Sequence, residues 1–519
     1  MSSKKKVNLK ERIDEPKYRI GILSFTDPRS EVKLVKERED YIKKCHDELI
    51  SILESNGYTV INPQPSIIEK SDTKEIFGIN NHKQIKEAVI EFTKQQVSAI
   101  LIGCFAWNEP NIPLELAKQV DVPIGLVTKN NPLWPGVTAI TSTGATFWEL
   151  SNTYYIKNHE RFVLPMNGNV ESMLPWLKAT CAVNHLRYGK LLLWGGTPAL
   201  NMEHLNDDIP FLKRFLIEDI ITQDQYLLVK NAEDILVNEK KSIDAFKQWL
   251  LDNKCTIKYD NVMVSKEILD KQIALYLAAK KILNSFHQDG ERIIGTSIKC
   301  QPELSVDYGI TPCLLPAFLP FGFDHEGPKP IVPTVCEGDI KGLLTSSLLY
   351  ALNNEIPPLF GDLKIVNDDY FVIANCGAAS AYYGELSNKP EKTLPNCTIA
   401  AQCQGVAGGA FGYRTPTTDE EITYARLIRL DTNYIMQYGT GKIVTMKEKQ
   451  KMGWGITWPH TAVKMNVSVE SLVKAIGTNH LSLMPGNYTE ELKHVSKILG
   501  ISTVQLDNEN SIQSFLDIY

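Results

Sequence analysis

The apolar run Tyr18–Phe25 (YRIGILSF) is followed by a long amphipathic stretch from Glu31 to about Ser55, and this pairing then repeats. Strand-like segments at Tyr58–Asn62, Val97–Cys104 and Val122–Val127 alternate with helix-periodic segments at about Lys83–Lys94 and Pro113–Gln119. Alternation of this kind predicts a parallel sheet covered by helices on both faces. In such sheets ligands collect beyond the C-terminal ends of the strands. Aromatic and polar residues gather at three of these places, Thr26–Arg29, Phe105–Glu109 and Asn131–Gly136. They suit a sugar or another amphipathic small molecule, and they equally suit loops packed on a neighbouring domain.

A second alternating region spans 171–345, with strands expected at Lys190–Trp194 and Arg292–Ile298 and helices near Pro210–Asp219, Ala232–Leu251 and Lys266–Phe286. Its turn Gly195-Gly196-Thr197-Pro198 lacks the GxGxxG spacing of a dinucleotide site, which argues against an NAD-dependent oxidoreductase. Gln301 stands just beyond the second strand, where an amide either satisfies backbone groups or meets a hydroxylated ligand. From 346 to 519 the pattern becomes short extended runs between turn residues, which reads as antiparallel and either barrel or sandwich. The fold class expected is therefore α/β, with two Rossmann-like α/β domains (1–170 and 171–345) and a β-rich, barrel-like domain (346–519). A length of 519 residues accommodates about three domains.

The formal net charge of −6 offers no basic surface for a phosphate backbone, so nucleic acid is not an expected partner. Ten cysteines without a CxxC pair point to buried thiols in a reducing compartment, with neither a zinc ribbon nor a disulfide scaffold. The charged N-terminus has no apolar segment behind it and no run is long enough to span a membrane, so a cytoplasmic chain is expected.

Chemistry concentrates in Pro333–Asp362. Glu337 and Asp362 lie 25 positions apart (362 − 337), each where an extended segment is expected to give way to a turn, with one helix between them. Asp339 reads as the N-cap of that helix. Glu337 fits either a share of the capping or a ligand role, and its residue type alone leaves both open. His46, His82, His159 and His494 read as surface residues, whereas His480 and, less clearly, His460 sit in loops beside apolar segments. Two carboxylates and one imidazole make a hard site suited to Mn²⁺ or Mg²⁺. An ion with open positions can grip two adjacent substrate oxygens and stabilise an enediolate, while a carboxylate shuttles the proton between neighbouring carbons. Aldose–ketose interconversion requires that combination.

The ordered set CEGD (336–339), FGD (360–362), NCG (375–377), WPH (458–460) and NH (479–480) resembles the L-fucose isomerase family and its relative L-arabinose isomerase. The resemblance implies that Glu337, Asp362 and His480 are metal ligands, with both carboxylates also serving as acid and base. It implies sugar contacts for Arg29, Gln301, Trp458 and Asn479. It further implies Mn²⁺, with Mg²⁺ or Co²⁺ as alternatives, and a homo-oligomer, a hexamer favoured, in which Arg29 serves its own or a neighbouring subunit's site. The expected substrate is a 6-deoxyhexose, a pentose or a 6-substituted hexose such as a sulfo-sugar. A non-catalytic sugar-binding protein on the same fold is the competing expectation.

Overall fold

The computed structural model describes residues 18–27, 29, 34–165, 170–402, 404–446 and 458–519. They divide into two compact units, residues up to Asn184 with Lys493–Gly500, and His185–Leu492 with Ile501–Tyr519. Among the described residues no helix is long and apolar enough to cross a membrane.

The first unit is built on five parallel strands: β1 (Arg19–Ser24), β2 (Thr59–Ile61), β3 (Ala99–Gly103), β4 (Ile124–Lys129) and β5 (Glu160–Leu164). Their order is β2-β1-β3-β4-β5. Strands β1, β3 and β4 are buried almost throughout, and two apolar clusters fill the space above and below them. The expectation of helices on both faces follows from these runs. The fifth strand and the helix Gly136–Leu150 went unread, because β5 (ERFVL) is partly exposed and alternates too weakly to stand out.

His46 corrects the surface reading: it is fully buried beneath this sheet, with Nδ1 2.9 Å from Ser24 Oγ. Burial lowers its pKa to about 4. The unfolded chain takes up a proton near 6.5 and the folded unit only near 4, so folding stability falls as pH drops through that window. At about 1.4 kcal/mol per pH unit the loss is roughly 3 kcal/mol. Urea unfolding followed across pH 7 to 4 should show this slope, and His46→Gln should flatten it.

The second unit contains a four-stranded parallel sheet of β6 (Lys190–Trp194), β7 (Asp219–Gln223), β8 (Ile293–Ile298) and β9 (Thr334–Cys336), ordered β9-β8-β6-β7. Here β7 replaces the expected end of a helix: Asp208 caps a helix that stops at Phe215, and the chain re-enters the sheet at Asp219. The single helix expected at Ala232–Leu251 is two, Gln225–Asn238 and Lys240–Asp252, broken at Glu239.

Beyond it lies a seven-stranded sheet of β10 (Leu359–Val366), β11 (Tyr370–Ala374), β12 (Glu421–Leu430), β13 (Asn433–Lys442), β14 (His460–Lys464), β15 (His480–Pro485) and β16 (Ser502–Gln505). The order is β14-β11-β10-β15-β12-β13-β16, antiparallel except for the last pair. Just past β13, Ile443 bridges to Val463 and Val444 N donates to Ala462 O at 2.9 Å, so the first six strands curl back on themselves. The chain is thus mixed α/β with parallel sheets and a β-rich C-terminal region.

The helix Ile340–Asn353 lies between the parallel and antiparallel sheets of this unit, buried from Ile340 to Leu352. Polar side chains inside it must be satisfied. Ser347 Oγ bonds Ile294 O on one side (3.4 Å), and on the other Ser346 Oγ meets Ser482 Oγ (2.9 Å) while Leu427 N donates to Thr345 Oγ1 (2.9 Å). This helix carries the site at its N-terminus.

Candidate functional site

Strand β9 ends at Cys336 and the chain reverses through Glu337 and Gly338, both with positive φ (66° and 68°). Gly338 is obligatory there, since a Cβ would fall 2.6 Å from Gly196 O. A left-handed conformation costs a glutamate of order 1–3 kcal/mol, and such strain gathers at functional positions. Asp339 follows as the N-cap, its Oδ1 accepting from Gly342 N at 2.8 Å.

His480 and Asp362 arrive on neighbouring strands. They are directly opposed in the β10–β15 antiparallel register, which places both inside strands; the turn expected at Asp362 and the loop expected at His480 are not found. Leu359–Phe360 and the HLSLMP run are apolar enough to carry sheet pairing through both residues.

The side chains converge. His480 Nε2 lies 3.2 Å from Glu337 Oε2 and 3.4 Å from Asp362 Oδ1. Its other nitrogen, Nδ1, donates to Asp339 Oδ2 at 2.8 Å, which assigns the proton to Nδ1 and turns Nε2 toward the two carboxylates. Asp339 is itself gripped by Arg426, Nη1 to Oδ2 at 2.6 Å and Nη2 to Oδ1 at 2.9 Å, with both residues wholly buried.

Burial opposes charge on Asp339, yet the Arg426 guanidinium and His480 overcome it and hold the carboxyl well below its usual range. Burial likewise disfavours a charged His480, but its bonds to Asp339, Asp362 and Glu337 dominate and raise its pKa well above the ordinary value. Glu337 is pushed up, chiefly by burial and against the pull of His480.

Asn479 joins the group, Nδ2 donating to Asp362 Oδ1 at 2.7 Å, and His204 Nε2 lies 2.8 Å from Asn479 Oδ1. Gln301 is committed to protein partners, donating to Gln404 O at 2.7 Å and accepting from Ser305 Oγ. Trp458 is buried, and its carbonyl meets His460 Nδ1 at 2.9 Å. Arg29, in the first unit, forks onto Asp27, with Nε 2.9 Å from Oδ1. The structure therefore gathers Glu337, Asp362, His480 and Asn479, and holds Gln301, Trp458 and Arg29 on other partners. Sequence reasoning passed over Arg426 and His204. An arginine amid the apolar residues of strand β12 (EITYARLIRL) was the available signal, because a buried guanidinium demands a buried acid.

Among the described residues no group of three or more His, Cys, Asp or Glu side chains stands as a ready metal cluster; the trio is drawn together in mutual ion pairs. The donor chemistry nevertheless fits a hard divalent ion. Separations of 3.2 and 3.4 Å lie close to the ~3 Å between adjacent ligands of an octahedral ion with bonds of about 2.1 Å.

Residues 373–506 match the family described as L-fucose isomerase, C-terminal domain. This segment is similar to the C-terminal domain of L-fucose isomerases. The match supports a likeness to the L-fucose isomerase family, a sugar isomerase family; it covers five of the seven strands of the large sheet whole (β12 to β16), among them β15 with His480, and only the last two residues of β11. Glu337 and Asp362 lie outside the matched residues. No curated protein matched the chain.

Proposed function

We propose that the chain is a metal-dependent aldose–ketose isomerase. The observation that carries the reading is the meeting of Glu337, Asp362 and His480, 3.2 and 3.4 Å apart at the imidazole nitrogen, in a chain whose residues 373–506 match the L-fucose isomerase C-terminal domain family. These three side chains would hold Mn²⁺, or Mg²⁺ or Co²⁺ in its place. When bound, the ion supplies positive charge beside two adjacent substrate oxygens.

The protein's own groups do the rest. Burial raises the pKa of Glu337 and so makes it a better proton acceptor, which suits a residue that takes a proton from one carbon and returns it to the next. Asp362, whose side chain is 30% exposed, is the more accessible carboxylate, and Asn479 fixes its orientation. It serves as the partner acid on the substrate oxygen. Asp339 and Arg426 keep the His480 ring in one orientation. Arg29, Gln301, Trp458 and Asn479 are proposed to contact the sugar, a 6-deoxyhexose, pentose or 6-substituted hexose, in a homo-oligomer for which a hexamer is the leading form.

A panel of aldoses incubated with the full chain and added Mn²⁺, assayed for ketose, tests the reading. Ketose should form from at least one sugar and disappear with chelation. Absence of ketose with Mn²⁺, Mg²⁺ and Co²⁺ alike, together with no ion binding in calorimetry, overturns it.

A further inference from the structure

Next to Glu337 lies a second cluster that isomerisation does not use. Cys300, Cys313, Cys336 and Cys376 line one cavity of about 20 Å³, room for a single water-sized molecule. The topology brings them there from separate segments. Cys336 ends β9, in register with Ile298 of β8, and Cys300 lies two residues past that strand. Cys376 lies two residues past β11. The Cys336 sulfur accepts from Asn375 Nδ2 at 3.3 Å, so the residue beside Cys376 rests on it. All four are free thiols; three are buried, and Cys376 alone among the described cysteines is partly exposed. By contrast Cys45, Cys104 and Cys181 sit within the apolar clusters of the first unit. A grouped set with one partly exposed member places a second sulfur beside the one an oxidant reaches first.

We propose that Cys376 and Cys336 form a modification site for hydroperoxides. Hydrogen peroxide transfers one oxygen to the Cys376 thiol, giving a sulfenic acid and one water. The Cys336 sulfur then attacks the Cys376 sulfur, and the hydroxyl leaves with the Cys336 proton as a second water. Two thiols and one peroxide become one disulfide and two waters.

The bond has a consequence for the neighbouring site, and that part rests on the isomerase reading. The disulfide would take the place of the Cys336 sulfur's contact with Asn375 Nδ2. Glu337 is the next residue, held at φ 66° with its carboxylate 3.2 Å from His480 Nε2, so a shift of Cys336 passes directly to it.

The test exposes the reduced full chain to hydrogen peroxide, denatures it with iodoacetamide and maps the peptides by mass. A Cys336–Cys376 linked peptide should appear and vanish with dithiothreitol. Isomerase activity should fall about ten-fold or more and return with the reductant, while Cys376→Ser keeps its activity under peroxide. Full alkylation of both cysteines after peroxide overturns the site, as does Cys376 found only as sulfinic acid, or a Cys300–Cys336 link. A disulfide formed in a chain with no isomerase activity upholds the site and removes the isomerase reading instead.

Discussion

Glu337→Gln should lower kcat by about 10³-fold or more while leaving the fold intact. The substitution keeps the side chain's volume and removes its charge and its capacity to carry a proton. General acid–base catalysis alone contributes roughly 10²–10⁴-fold, and the loss of a charged oxygen beside His480 adds to that. Stability should change little, because burial already disfavours the charged carboxylate. Ketose formation and circular dichroism on the same preparation check both halves. Wild-type turnover by the variant would remove Glu337 from the chemistry.

Arg426→Met should cost the second unit about 3–5 kcal/mol, the range for a buried ion pair that loses one partner. Methionine fills much of the space but removes the guanidinium that grips both oxygens of Asp339, leaving the buried carboxylate with His480 and the Gly342 amide as its remaining partners. The damage should reach the site, because Asp339 also holds His480 Nδ1. Pairing Arg426→Met with Asp339→Leu separates the two effects. The double change removes both charges and should restore most of the stability, yet His480 loses its anchor and activity stays low. Chemical denaturation and turnover, measured on the two variants, decide it; equal stability of wild type and Arg426→Met would mean that the pair carries no net weight.

The sheet of the first unit was legible because β1, β3 and β4 are apolar on both faces, a pattern few other structures produce. Strand β5 was not, since an edge with exposed positions imposes no continuous apolar run. The capping role of Asp339 was legible because it is local, three residues from the amide it accepts. Its grip on His480 and Arg426 was not, because those contacts span 141 and 87 positions and exist only after the strands pair. The strand positions of His480 and Asp362 are not legible, because Gly477-Thr478-Asn479 before one and Pro357-Pro358 before the other look like breaks, and strand pairing overrides such local preferences.

The opposed pairing of Asp362 with His480 also separates the parts of the chain that can change length from those that cannot. Distance between the two side chains is set by the ladder, so an insertion at the Asp431–Thr432 hairpin tip lengthens the path between them without moving either. Removal of one residue from Leu359–Phe360 is a different matter: side chains alternate along a strand, and the carboxylate would then face the opposite side of the sheet. Tolerance to indels in this region therefore follows strand parity, and tracks neither exposure nor proximity to the imidazole.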